Sequence, residues 1–197
     1  MKVIGKSFVD SPTGLKVKGA RRADKFAKMA AKACLDIPIE RARAEGDPET
    51  GVIVATRFGP HATTFKFLDG MLDHSDTRVS PTTFSHSVHN AAASYITTLL
   101  GIQGPATTLT CFEDPLGRAL ELAEDWLFMA HVQQVYVCYV EERSGPFDGI
   151  QEGCGALPFY GTGRTPEGAA ALLLTRGGDT QIPDTAEDPF EAIDSMG

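Results

Sequence analysis

Three short apolar runs limit the architectures open to this chain. They are Gly51-Val-Ile-Val-Ala-Thr56, Val132 to Val140 (Val-Gln-Gln-Val-Tyr-Val-Cys-Tyr-Val) and Ala169 to Leu174. Each has the length of a strand, and none alternates polar with apolar throughout. Strands of this kind are buried on both faces, so helices must cover the sheet. The segments between them supply those helices. Ala23, Phe26, Ala27, Ala30 and Cys34 recur at helical spacing, as do Phe65, Leu68 and Leu72, and again Leu116, Leu120, Ala123, Leu127 and Ala130. Helices are predicted over 20–35, 61–72 and 87–100, and from Asp114 onward. Two further strands are predicted over 1–9 and 106–111. The order is β, α, β, α, α, β, α, β, β, which makes an α/β fold with a layered sheet. Gly101 reads as a left-handed helix stop, Asp114 as an N-cap and Pro115 as a first helical residue. Residues 42–50, 73–80 and 144–165 read as loops.

With 197 residues the chain suits one domain. We divide it into a domain over 1–178 and an acidic tail over 179–197. Asp179, Asp184, Glu187, Asp188, Glu191 and Asp194 all follow the last arginine, Arg176. Such an end reads as a solvated tail, or as one that folds back over a basic face. That basic face is carried by Arg21, Lys25, Lys28 and Lys32, at spacings of four, three and four. It is either a solvated ridge or a dock for an acidic partner such as a carrier protein. The net charge of −8 argues against nucleic acid as a general partner. No apolar run reaches the roughly 18–20 residues of a membrane span, and the N-terminus lacks the apolar core of a signal peptide, so the expected location is cytoplasmic. Cys34, Cys111, Cys138 and Cys154 show no metal-ligand spacing and read as reduced, mostly buried thiols. No metal, nucleotide or flavin is expected.

The chemistry centres on Pro81 to Trp126. There a strand ends in the turn Phe112-Glu113-Asp114-Pro115 and a long amphipathic helix follows. Strand, tight turn and helix aim one residue at a pocket, and here that residue is Glu113. A carboxylate at a helix start needs no function, because the helix dipole favours it by about 0.3–1 kcal/mol. Cys111 is a second candidate, since a thiol near a helix N-terminus is acidified. Two adjacent carboxylates oppose that effect. His86 and His89 flank Ser87 and read either as base and orienter or as histidines bonded within the fold. Ser87, His89 and Glu113 make a nucleophilic arrangement on paper, without a Gly-x-Ser-x-Gly elbow to support it. Gly161-Thr-Gly163 is too little for a phosphate loop.

Taken in order, several segments resemble the N-terminal half of the β-ketoacyl synthases, in the thiolase superfamily. They are Arg21-Arg22-Ala-Asp24-Lys-Phe26, Gly51 to Thr56, Pro81 to Asn90, Leu100-Gly-Ile-Gln-Gly-Pro105, Ala119 to Ala123, Val135 to Val140 and Glu167-Gly168-Ala-Ala-Ala171-Leu. The resemblance implies a single thiolase-like half, a mixed five-stranded sheet covered by helices. Counted from Gly104-Pro105, the family's nucleophilic cysteine falls on Glu113, and Cys111 stands two residues early. The family's second half, with its catalytic histidines, is not matched. The pattern looks like that of the chain-length-factor-like proteins of the aryl-polyene and dialkylresorcinol type. It implies a subunit that does not condense acyl chains alone, with Phe84, His89, Asn90 and Phe112 lining the surface beside Glu113. A buried glutamate there would keep a proton and donate a hydrogen bond. A homodimer, or a heterodimer with an active ketosynthase, is expected, with an acyl carrier protein as a further partner. The alternatives are an acyltransferase or thioesterase acting through Cys111 or Glu113, and a non-catalytic scaffold dimer.

Overall fold

The computed structural model describes residues 1–10, 12–37, 49–74, 79–145, 167–178, 180 and 188–196. Cys154, Gly161 and Gly163 lie outside them, as does most of the two loops expected over 42–50 and 144–165.

The three apolar runs become neighbouring strands. β2 (Thr50–Thr56), β4 (Gln134–Glu141) and β5 (Gly168–Thr175) are buried along nearly their whole length. With β1 (Lys2–Val9) and β3 (Ala106–Thr110) they form a five-stranded sheet of order β1-β5-β4-β2-β3. β2 runs parallel to β3 and β4, while β5 is antiparallel to β4 and β1. Parallel neighbours need crossovers. The chain supplies them as α2 (His61–His74), α3 (Pro81–Ser87) and α4 (Ala91–Leu100) between β2 and β3, and as α5 (Pro115–Phe128) between β3 and β4.

Alternate residues of the central strands feed two separate cores. Tyr136, Cys138, Val140, Ala171 and Leu173 join Phe26, Met29 and Ile96 under α1 (Lys25–Leu35) and α4. Val135, Val137, Tyr139, Leu172 and Leu174 join Leu116, Leu120 and Leu127 under α5. The period of two is that of a strand, and both faces are apolar because both are covered.

Four element boundaries depart from the sequence reading. α1 begins at Lys25 rather than at 20, because the Asp24 carboxylate accepts the Ala27 N–H at 2.9 Å and caps it. The helix expected over 87–100 is two helices. Ser80 caps α3, Pro81 opens it, and Ser87 closes it by donating to the Phe84 carbonyl at 2.8 Å. Val88 is extended, and α4 starts afresh at Ala91. Ala130, placed on the apolar stripe of α5, lies beyond that helix and is exposed.

The fourth departure is the acidic end, which is not a solvated tail over 188–196. Asp188 accepts from the Phe190 and Glu191 N–H groups and caps α6 (Pro189–Ser195). Ala192, Ile193 and Met196 are buried in the α5-side core, and the Phe190 ring meets Tyr139 edge-on at 5.3 Å. The four apolar residues outweigh the acids, which stay on the outer face. This packing lies on the sheet face opposite α1, so these residues do not fold over the basic one. Gly101 (φ 70°), Asp114 and Pro115 take the roles read for them.

Beyond the end of α5, Ala130 takes φ 57°, while the His131 N–H bonds back to the Trp126 carbonyl at 3.1 Å. Glycine favours that left-handed position, and an L side chain is strained in it. Ala130→Gly should raise stability by about 1 kcal/mol in urea unfolding. An unchanged or lower value would contradict the strain.

Candidate functional site

The carboxyl ends of β2, β3 and β4 open at one edge of the sheet, the usual place for ligands in parallel α/β sheets. The β3–α5 turn is fixed from both sides. The Cys111 N–H donates to the Thr56 carbonyl at 3.2 Å, and the Asp114 carboxylate accepts the Gly117 N–H at 2.9 Å. Because Asp114 does the capping, Glu113 is left without that role and stands exposed, not enclosed.

Several of the residues singled out in the sequence are tied to the turns and strands of this edge. Phe112 is 53% exposed, with its ring tilted against Phe58 at 5.8 Å. Phe58 belongs to the β2–α2 turn, together with Gly59 (φ 65°). A Cβ on Gly59 would come within 2.3 Å of the His89 ring, so glycine is required under that histidine. Asn90 accepts from the Thr108 hydroxyl of β3 at 3.3 Å. Phe84 is 56% exposed and reaches the same side through Phe67 of α2, at 5.4 Å.

Other combinations are not assembled. The Ser87 hydroxyl serves the Phe84 carbonyl rather than His89. His86 is buried, with Nε2 at 3.0 Å from the Tyr95 hydroxyl. Cys111 is half-buried, and no hydrogen bond joins its thiol to a base among the described residues. Cys34 and Cys138 are buried free thiols. Among the described residues no group of three or more His, Cys, Asp or Glu side chains could hold a metal ion, and no helix is long and apolar enough to cross a membrane.

The basic ridge is reapportioned. Lys25 gives its ammonium to the Glu167 carboxylate and to the Arg143 carbonyl, the latter at 2.7 Å. Lys32 pairs with Asp36 one turn on. Arg21 precedes α1 and is exposed, as is Arg22, while Lys28 is half-exposed. Lys16, Lys25 and Lys28 line an open cleft of about 460 Å³ with Pro12, Gly14 and Leu15.

Sequence reasoning missed one pair, Glu141 and Glu142, at the end of the apolar run 132–140. They are 0% and 2% exposed. The Glu141 carboxylate accepts the Arg57 N–H and, at 3.3 Å, the Thr56 hydroxyl. Glu142 accepts the Ala62 N–H at 2.8 Å. Burial pushes both carboxyls up to about 7, with hydrogen bonds from the Arg57 and Ala62 N–H groups opposing the shift. Burial, and then Glu141, raises the Tyr139 phenol as well. Two acids directly after an all-apolar strand, at its carboxyl end, were the available signal.

A family model for the N-terminal domain of beta-ketoacyl synthases matches residues 14–188. No curated protein matches the sequence. The ishigamide ketosynthase/chain length factor is similar in structure, with TM-score 0.74 and 16% identity, over 89% of this chain and 62% of that one. The complex of a ketosynthase (ApeO) with its chain length factor (ApeC) from Xenorhabdus doucetiae gives TM-score 0.68 and 18% identity, over 92% of this chain and 82% of that one. AntDE:AntF, a type II PKS acyl-carrier protein in complex with its ketosynthase bound to the hexaketide, gives 0.67 and 15%, over 84% and 51%. At such identities the likeness is one of fold. The chain spans less than two thirds of the first of these chains and about half of the last.

Glu141 and Glu142 titrate near 7 in the fold against an ordinary 4.5. A raised carboxyl contributes stability that is fully present below about 4.5 and lost as pH rises through about 7. The protein should therefore be more stable to urea at pH 5 than at pH 8, by up to about 5 kcal/mol for the two carboxyls together, and Glu141→Gln should remove about half of that slope. A flat profile would contradict the assignment.

Proposed function

We propose that this chain, which belongs to the β-ketoacyl synthase N-terminal domain family, works as a non-condensing, chain-length-factor-like subunit. It would assist the building of β-ketoacyl chains on a carrier protein, in fatty-acid, polyketide or aryl-polyene assembly. The observation that carries the reading is Glu113. It stands where strand, turn and capped helix would present a nucleophile, and it is a carboxylate. Condensation needs a thiolate that holds an acyl group as a thioester, which a carboxylate cannot do. Cys111 does not replace it, being half-buried on the strand side and bonded to no base among the described residues. The same facts leave an acyltransferase or thioesterase without its base.

A partner is implied by two surfaces. β3 is a sheet edge, with backbone groups facing away from β2. Beside it, Phe84, Val88 and Phe112 are about half exposed, with Leu68 and Leu72 on α2 at 46% and 84%. An edge strand with adjoining apolar side chains is a surface for association. It suits a homodimer or a heterodimer with an active ketosynthase. For an acyl carrier protein, an acidic partner, Arg21, Arg22 and Lys28 supply cations that form no ion pair among the described residues, whereas Lys25 and Lys32 are committed to Glu167 and Asp36. A cytoplasmic location would place it with such carriers. Structural neighbours in which a ketosynthase is paired with a chain length factor or with an acyl-carrier protein support this reading.

The purified protein, incubated with acyl- and malonyl-thioesters, should keep an unmodified intact mass and show a native mass above that of one chain, alone or with a ketosynthase. Phe112→Glu should weaken that association by about tenfold or more. A covalent adduct lost in Cys111→Ala, or a monomer that binds no ketosynthase, would overturn the proposal.

A further inference from the structure

The β2–α2 turn runs from Arg57 to His61 and carries two parts of the exposed face: Phe58, tilted against Phe112, and Gly59, under His89. It is held from beneath by one strand end. Glu141 takes the Arg57 N–H at the start of the turn, and Glu142 takes the Ala62 N–H just past its end, at 2.8 Å. Thr56 ties the middle, its hydroxyl accepting the Gly59 N–H at 2.9 Å and donating to Glu141 at 3.3 Å. Two adjacent residues thus bracket the turn, and both are buried.

We propose that Glu141 and Glu142 are positioning residues, a latch that holds the β2–α2 turn while the pair is protonated and releases it, with the Phe58–Phe112 contact, when the pair ionises. A protonated carboxyl still accepts an N–H through its carbonyl oxygen, at no desolvation cost for charge. Ionising both acids buries two negative charges, each desolvated in its own surroundings. Glu141 faces the Arg57 guanidinium on the turn and Tyr139 on its own strand, and beyond Tyr139 lies Asp188 ahead of α6. Glu142 faces Asp24 and Lys25 of α1 and Glu167 ahead of β5. Lys25 is already paired with Glu167, so two carboxylates and one shared cation surround Glu142. His61 sits inside the turn, with Nδ1 at 3.2 Å from the Gly59 carbonyl. The balance favours opening the turn to water once both acids are charged. The inference needs no acyl partner and stands apart from the proposed function.

The test is ring-to-ring cross-peaks by NMR in full-length protein with labelled phenylalanine, between pH 6 and pH 8. Phe58–Phe112, at 5.8 Å, reports the turn, and Phe67–Phe84, at 5.4 Å, is the internal reference. With carboxyls at about 7 when latched and 4.5 when released, the release equilibrium shifts about tenfold for each carboxyl over that range. The Phe58–Phe112 peak should fade with rising pH while Phe67–Phe84 persists. In protein carrying Glu141→Gln and Glu142→Gln the peak should stay at every pH, since the amides keep an acceptor oxygen without the charge. The latch is overturned if the wild-type peak ignores pH, if both peaks fade together, or if the double variant still responds. The wild-type titration decides alone should the double variant fail to fold.

Discussion

Burial of β2, β4 and β5 on both faces is the constraint from which the rest of the structure follows. A strand covered on both sides sends alternate side chains into two cores, so Tyr136 and Tyr139 of one strand serve opposite layers. Helices must then lie above and below, and the parallel pairs β2–β3 and β2–β4 force the crossovers that build those layers. Among the described residues, β1 and β3 are the edges of the sheet, and the carboxyl ends of the parallel strands lie on the β3 side.

The same constraint explains the acids. β4 remains buried up to its last residue, and the turn after β2 presents N–H groups that have no strand or helix partner. A carboxyl from the end of β4 satisfies Arg57, and its neighbour satisfies Ala62 at the start of α2. The cost is that both acids are desolvated. Glu113, two strands away, is the opposite case. Asp114 caps the helix, Pro115 has no N–H that needs an acceptor, and Glu113 is left exposed beside Phe112. On the proposed reading, the turn would keep the placement of a nucleophile without the sulfur.

The strands, the caps at Asp114 and Gly101, and the site turn were legible because each rests on local chemistry: apolar runs, a side-chain acceptor, a left-handed glycine. The break between α3 and α4 was not, although Ser80-Pro81 is a start signal, because the alanine run after Asn90 dominates the helical pattern. α6 was hidden by the acids around it, whose charge outweighs Phe190, Ala192, Ile193 and Met196 in any compositional reading. Lys25 looked like one cation in a ridge. Only the tertiary fold shows that Glu167, far along the chain, already neutralises it. The exposure of Glu113 was likewise out of reach, since it depends on how the rest of the fold packs around the turn.

The central claim is that Glu113 marks a subunit that assists condensation without performing it. The most direct test is condensation of malonyl and acyl thioesters on a carrier protein, with product lengths read by mass spectrometry. It would compare this chain alone, a ketosynthase alone, and the two together with either wild-type or Glu113→Ala protein. The account predicts no product from this chain alone, and in the pair a length distribution that changes with Glu113→Ala. Steady product from this chain alone, or identical products with and without it, would contradict the account.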